Sequence, residues 1–445
     1  MRPTIRCLVL FIAGIPVSLA AVSIDPRLWT VWISYLGAAL MLTGIDAVLG
    51  LPKRRLRVKL EAPEQVFIGD TTPARIVLTA PGKRSAELGI LAELDDDLAP
   101  QPEVWATIRP GGAPGDDPKV ARHVHELPLS PRRRGDHAIR AVHLRWRGPL
   151  GLIEKRVARP LGTKVGVVPN IGAVRAIALR MFADQNFMQG LKVERFIGDG
   201  SEFESLREYV VGLDHRAMDW KSSARHRKLL CQEFRAERNH QVVLAVDAGQ
   251  LMSEPVGGVP KLDHAINAAI LLGWFCLRTG DRVGLVGFDE RVRQWAEPAG
   301  GMHTFRRLQA LSAEIDYCAV ETNYTLTLAE LSTRLRRRSL VVLFTDFLDT
   351  VTAELMIDNV TRLARRHLVL FVAVRDPSLE TRALARPRTL GTLHEAVVAG
   401  DFGRERSIVL ERLKRAGAHC IDVAPDQFSM ALVNRYLDIK RRELF

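Results

Sequence analysis

The chain is poor in cysteine and lacks every cysteine-based pattern. Its 445 residues hold five cysteines, Cys7, Cys231, Cys276, Cys318 and Cys420, and no two of them form a C-x-x-C pair. That scatter argues against a cysteine metal cluster and a disulfide framework, and it fits a reducing compartment. No G-x-x-x-x-G-K-[ST] run is present, so Gly198-Asp199-Gly200-Ser201 is not a phosphate loop. Neither a nucleophile elbow nor a Ser–His–Asp motif is evident. Zinc-finger spacing, RNP-like aromatic motifs and a basic zipper are also missing. The formal net charge of +12 therefore does not point to nucleic acid. It points to an anionic membrane face or an acidic partner. Arg132-Arg133-Arg134 and Arg336-Arg337-Arg338 read as solvated faces. No internal repeat stands out.

What is present begins with two apolar runs. Residues 7–22 and 28–51 span about 16 and about 24 residues, against the roughly 20 needed to cross a bilayer. The first has a basic start, Arg2 and Arg6, and a small-x-small site at Ser18-Leu19-Ala20, which would suit a cleaved signal. A second run follows after only Asp25-Pro26-Arg27, which favours a transmembrane helical hairpin over residues 1–52. Trp29, Trp32 and Tyr35 suit an interfacial belt. The cations Lys53, Arg54, Arg55, Arg57 and Lys59 follow the second run. They place the soluble part on the cytoplasmic side of an inner membrane, with lipid headgroups as one use of the charge.

Residues 53–165 alternate apolar and polar positions in short runs such as Ala74-Arg75-Ile76-Val77-Leu78, broken by Gly and Pro corners. This predicts a small antiparallel β-sandwich-like domain, with a hairpin loop at 110–118. His123 and His125 share strand-face spacing there, but no further ligand accompanies them. Residues 166–240 form a transition, with helical patterning at 173–190. From 241 onward apolar strands alternate with helices. Strands are predicted at 242–246, 282–288, 340–344 and 368–374, with an antiparallel edge at 291–295. Helices are predicted over 262–277 and near 303–315, 324–337, 352–366, 404–416 and 426–442. That alternation predicts a mostly parallel, Rossmann-type α/β sheet covered on both faces.

Residues 198–238 are dense in charge, aromatics and glycine. Gly198, Gly200, Phe203, Leu206, Arg207, Tyr209, Gly212, Asp214, Arg216, Asp219, Trp220, Lys221, Ala224, Arg225, Leu229, Glu237 and Arg238 resemble the signature of domain of unknown function 58. A second block, Arg134, Gly135, Gly148, Pro149, Gly151 and Leu152, is similar to that family as well. Members usually have Asp before the Pro, where this chain has Gly148. The resemblance implies a membrane-anchored protein with a von Willebrand A-like α/β domain. It also implies a MoxR-type AAA+ ATPase partner and non-enzymatic adaptor work in complex assembly or maturation. Arg207, Tyr209, Asp214, Arg216, Asp219, Trp220, Lys221 and Arg225 are the candidate interaction residues, because Trp and Arg are favoured at binding hot spots; the plain alternative is a segment that wraps the domain with its charges paired internally. The competing readings are a hydrolase built on the 214–226 charged cluster and a basic scaffold binding anionic lipid.

Von Willebrand A domains carry a divalent-cation site at the strand ends, with Asp-x-Ser-x-Ser as the first loop. Here that loop reads Asp247-Ala248-Gly249-Gln250-Leu251, and both serine positions lack hydroxyls. Thr322 and Asp346 match the second and third loops. The resemblance thus implies a degenerate site of Asp247, Thr322 and Asp346, with weak Mg²⁺ affinity at most, serving as a docking surface. The plain structural alternative is that Asp247 and Asp346 cap helices and bond loop amides.

Overall fold

A computed structural model describes residues 1–24, 29–81, 86–98, 103–110, 120–170, 197–210, 218–235 and 240–442. The chain divides into two compact units, Met1–Val168 and Pro169–Phe445.

The first unit starts with strand β1 (Arg2–Pro3), followed by helices α1 (Ile5–Ile24) and α2 (Trp29–Leu49). Among the described residues one helix, α2, is long and apolar enough to cross a membrane, and the apolar stretch found in α1 is shorter, Ile5–Pro16. Tyr35 joins the two helices. Its hydroxyl donates to the Leu10 carbonyl of α1, and Gly14 provides the space, since a Cβ there would overlap the Tyr35 ring. Tyr35 therefore packs α2 against α1.

Strands β2 (Arg57–Glu61), β3 (Gln65–Phe67), β4 (Thr72–Pro81), β5 (Ala86–Leu94), β6 (Val104–Pro110), β7 (Val120–Leu129), β8 (Gly135–Arg147) and β9 (Ile153–Val168) follow. With β1 they form one nine-stranded sheet in the order β1-β9-β8-β5-β6-β7-β4-β2, and β3 pairs with β9. The strands fall in two paired groups, β2, β4 and β7 on one side and β5, β8 and β9 on the other, joined by a hydrogen-bonded path through β6. Residues 104–108 of β6 pair with β5, and Arg109 and Pro110 pair with β7. The buried face of β8 carries Ile139, Val142, Leu144 and Trp146. Its two-residue period slips once, at the register shift between Ile139 and Ala141.

Asp46, near the end of α2, ties that helix to the β domain. Its carboxylate is fully buried. Oδ1 accepts from the Leu150 amide (2.7 Å), and Oδ2 accepts from the amides of Leu152 and Ile153 (2.8 Å each). Lys155 donates to the Gly50 and Leu51 carbonyls at the end of the same helix, at 2.8 and 3.2 Å. A Cβ on Gly148 would sit 2.3 Å from Asp46 Oδ1. The glycine that departs from the family pattern is therefore what admits the carboxylate. The N-terminus joins the same corner: Arg2 and Pro3 pair with Glu154 and Ile153, and the Thr4 hydroxyl donates to the Gly151 carbonyl at 2.7 Å.

The second unit opens with β10 (Ile197–Glu208), α3 (Trp220–His226) and β11 (Leu230–Arg235), the two strands pairing antiparallel. Then come β12 (Gln241–Asp247), a short hairpin of β13 (Pro255–Val256) and β14 (Val259–Pro260), α4 (Lys261–Arg278), β15 (Arg282–Phe288) and β16 (Val292–Ala299). Next are α5 (Met302–Ala313), α6 (Tyr324–Arg334), β17 (Leu340–Phe344), α7 (Ala353–Ala364), β18 (Leu368–Val374), α8 (Pro377–Leu384), α9 (Leu390–Arg415), β19 (His419–Val423) and α10 (Pro425–Arg441).

A six-stranded sheet has the order β16-β15-β12-β17-β18-β19. Its inner pairings are parallel, and only β16 is antiparallel. Most strand pairings elsewhere in the chain are antiparallel. Alternate residues of β12 and β17 feed two apolar clusters. Val242, Leu244, Leu340, Val342 and Phe344 pack with α4 and α10 residues such as Phe275 and Phe428. Val243, Ala245, Val341 and Leu343 pack with Leu328, Met356 and Val409 of α6, α7 and α9. Burial on both faces explains why these strands read as continuous apolar runs.

Two helical features escape the sequence pattern. Helix α9 begins at Leu390 rather than near 404, because Thr389 and Thr392 form a reciprocal capping box without the usual Glu or Gln. Helix α8 is capped by Asp376, which accepts from the Ser378 amide. The helical patterning at 173–190 and nearly all of the loop at 110–118 lie outside the described residues.

Gly148→Ala is expected to cost about 1–3 kcal/mol, because the added methyl displaces a buried carboxylate. Gly166→Ala is its control, since a Cβ there meets nothing closer than 3.6 Å. Thermal unfolding of both variants in detergent reads the difference. Equal melting would mean that Asp46 is not the constraint.

Candidate functional site

In open α/β sheets, ligands gather beyond the carboxyl ends of the strands. Here β12 ends in Asp247, and β17 runs on into Thr345-Asp346. Asp247 is 2% exposed, so its carboxylate must find donors inside the protein. Oδ1 accepts from the Gly249 amide (2.8 Å) and the Thr322 hydroxyl (2.6 Å). Oδ2 accepts from the Thr345 hydroxyl, with Tyr324 Oη farther off at 3.4 Å. Tyr324 Oη also lies 2.9 Å from Thr345 Oγ1 and 3.1 Å from the Asp346 carbonyl. Burial pushes the Asp247 carboxyl pKa up, and the four donors oppose that shift.

The structure brings Asp247 and Thr322 together but turns the Asp346 side chain to other partners. Asp346 Oδ1 accepts from Arg406 Nη1 at 2.7 Å, and Oδ2 accepts from Lys261 Nζ at 2.8 Å. Lys261 also donates to Glu254 at 2.7 Å. Arg406 bonds Asp422 at 2.9 Å and the Val374 carbonyl at 3.2 Å, and its guanidinium lies 5.2 Å from the Phe347 ring centre. Neither acid caps a helix. Asn323 caps α6 instead, accepting from the Leu326 amide. Sequence reasoning missed Lys261, Tyr324, Thr345 and Arg406. Tyr324 and Thr345 had a local cue, as neighbours of the loop residues Thr322 and Asp346, and Lys261 had one as a cation at a helix start.

These residues do not fit a divalent ion. Mg²⁺ wants an octahedron of oxygens at about 2.1 Å. Gly249 and Leu251 supply no hydroxyl. A Cβ on Gly249 would sit 2.1 Å from Thr322 Oγ1 and 3.1 Å from Asp247 Oδ1, so a serine has no space there. Both Asp346 oxygens face cations. Among the described residues no group of three or more His, Cys, Asp or Glu side chains is arranged to hold a metal. Asp247, Thr322 and Asp346, the set that the resemblance implies for a weak Mg²⁺ site, are here bonded to hydroxyls, an amide and fixed cations.

The signature block forms the β10–α3–β11 hairpin. Asp219 is the N-cap of α3, accepting from the Ser222 amide and hydroxyl at 3.0 Å each. Its own amide donates to the Leu230 carbonyl. The Ser223 hydroxyl accepts from the Leu230 amide at 2.8 Å, locking helix to strand. Arg227 closes the helix in the left-handed region, at φ 55°. Trp220 follows the cap and is 69% exposed. Lys221, Arg225, His226 and Arg207 are also exposed, and Tyr209 is half-buried. Asp214 and Arg216 lie outside the described residues. Leu206, Val210 and Leu229 add exposed apolar side chains to the same hairpin.

Residues 205–382 match the family model described as Protein of unknown function DUF58. The uncharacterized protein YeaD of Bacillus subtilis (strain 168) is 24% identical over 190 residues, which is 42% of this chain and 44% of that protein. The chain thus matches under half the length of this curated relative. Two solved structures share short similarities. The CARDB domain of the PF1109 protein from Pyrococcus furiosus, in complex with di-metal ions, is 12% identical and covers 25% of this chain and 87% of its own, with a TM-score of 0.17. An uncharacterized membrane-spanning protein from Vibrio fischeri is 14% identical and covers 45% of this chain and 97% of its own, also with a TM-score of 0.17. The family match and YeaD support the resemblance carried by the signature block. The matched region begins inside that block and ends in α8.

Asp247→Asn removes a titration whose folded-state pKa is raised. A carboxyl of that kind stabilises most below its unfolded value of 3.8 and loses that contribution as pH rises through the folded value. The stability of wild type relative to the variant is therefore expected to fall as pH rises from about 4 towards neutrality. Urea unfolding across that range reads it, and a flat difference would contradict a raised pKa.

Proposed function

We propose that the chain is a membrane-anchored, non-enzymatic adaptor that docks a MoxR-type AAA+ ATPase during assembly or maturation of a complex. In this reading α2, with α1 beside it, is the anchor. Lys53, Arg54 and Arg55 hold the rest of the chain on the cytoplasmic side of an inner membrane. The α/β sheet is of the von Willebrand A-like type, and its strand-end cluster is a structural element rather than a metal centre.

The observation that carries the reading is Trp220. A large indole stands in solvent at the start of a seven-residue helix. Local bonds hold that helix in place while leaving the ring uncovered. Tryptophan and arginine are enriched among the residues that dominate protein interfaces, and exposed Arg225 lies on the same helix as Trp220. The hydrolase reading gains little by comparison, because Asp219 is engaged as a cap and Lys221 and His226 are both exposed to solvent. The family resemblance alone supplies the identity of the partner.

Trp220→Ala is expected to leave melting unchanged and to weaken ATPase capture by roughly tenfold or more. Asp219→Ala should lower stability by about 1 kcal/mol through loss of the cap, so it cannot serve as the clean test. The measurement is a pull-down of the intact protein from native membranes, with and without ATP, the ATPase being identified by mass spectrometry. Equal recovery of the ATPase with wild type and Trp220→Ala would remove the interface from this hairpin. Absence of the ATPase in every arm would remove the partner.

A further inference from the structure

We infer that Lys261 is a built-in counter-cation for Asp346, taking the electrostatic place of a divalent ion at the carboxyl ends of the sheet. The inference does not depend on which partner docks there.

Lys261 is the first residue of α4, after Pro260, and the helix has no side-chain cap. A cation at a helix N-terminus opposes the positive end of the helix dipole. Local preference therefore runs against lysine at this position, and something non-local must hold it. Two carboxylates do so: Asp346 Oδ2 at 2.8 Å and Glu254 Oε2 at 2.7 Å, with the lysine side chain 12% exposed. Arg406 holds the other oxygen of Asp346 at 2.7 Å. Each Asp346 oxygen thus has its own fixed N–H donor carrying full positive charge.

A metal would need those oxygens free, and it would bring two further positive charges up to an ammonium and a guanidinium. Position 249 cannot add a ligating side chain, since a Cβ there would lie 2.1 Å from Thr322 Oγ1. A tethered ammonium differs from a metal in one functional respect: chelators cannot remove it and cation concentration cannot vary it. The strand-end face is therefore held in one arrangement whatever the divalent-ion level.

The test uses the full chain in detergent. Wild type is expected to bind no Mn²⁺ by electron paramagnetic resonance. It should also melt at the same temperature in EDTA and in about 10 mM Mg²⁺ at matched ionic strength. Lys261→Ala frees Asp346 Oδ2 and Glu254. It should melt lower in EDTA and recover by about 3 °C in Mg²⁺ if the vacated site has a Kd of about 1 mM. Lys261→Gln keeps a polar group without the charge and carries the same test if the alanine variant does not fold. Stoichiometric Mn²⁺ on wild type would overturn the inference. So would variants that fold but melt identically with and without divalent ions, because the ammonium would then be only one more ion pair.

Discussion

A carboxylate sealed under the carboxyl ends of a parallel sheet must be matched by donors inside the protein, and at Asp346 those donors are fixed cations that organise the edge. Lys261 comes from the start of α4, and Arg406 from the middle of α9. Arg406 continues to Asp422 on β19, which also meets Arg375 after β18 at 3.3 Å. One chain of charges therefore joins two helices to the ends of three strands. Removing one partner from a buried pair typically costs about 3–5 kcal/mol, while replacing a whole pair by apolar packing is often neutral. The network is thus a poor source of net stability and a strict condition on geometry. The net stability of the unit comes from the two apolar clusters on either side of the sheet.

Three buried carboxylates in this chain are answered in three ways. Asp346 has cations, Asp247 has three hydroxyls and one amide, and Asp46 has three loop amides. The donor type decides what each can do. Cations match a full charge at short range. Hydroxyls are neutral, so Asp247 keeps a raised pKa despite four partners. Amides fix backbone, so Asp46 holds the loop of residues 148–153 against the end of α2. In all three arrangements each carboxylate oxygen has at least one donor from the protein.

How much of this was legible depended on sequence distance. The strands β12 and β17 were readable because parallel strands buried on both faces become unbroken apolar runs ending in acids. The signature block was readable as a family pattern, but not as a strand–helix–strand hairpin, because its bonds are short-range and specific to Asp219, Ser223 and Leu230. Lys261 and Arg406 lie 85 and 60 residues from Asp346 in the chain, and nothing local marks such a meeting. A cue was present at Lys261, a cation where a helix start prefers an acid. Another was present at Asp46, a lone acid in an apolar helix, which is costly unless a partner waits for it. Both cues are residues set against their local environment, and in both cases the compensation is tertiary.

The contrast between two tryptophans bears most directly on function. Trp146 is fully buried, and its indole N–H donates to the Leu51 carbonyl. It is a structural indole, satisfied at both its apolar and its polar end. Trp220 lies on a helix too short to be stable alone, and three local devices hold that helix in place. The Asp219 cap fixes its start, the left-handed Arg227 fixes its end, and the Ser223–Leu230 bond ties it to β11. A non-glycine residue in the left-handed region costs about 1–2 kcal/mol, and that strain is sustained here with the ring left in water. If the hairpin served only to cover the α/β unit, turning the indole inward would recover on the order of 2 kcal/mol or more of apolar burial. An arrangement that holds backbone strain and forgoes that burial is the one expected of a side chain kept ready for another surface.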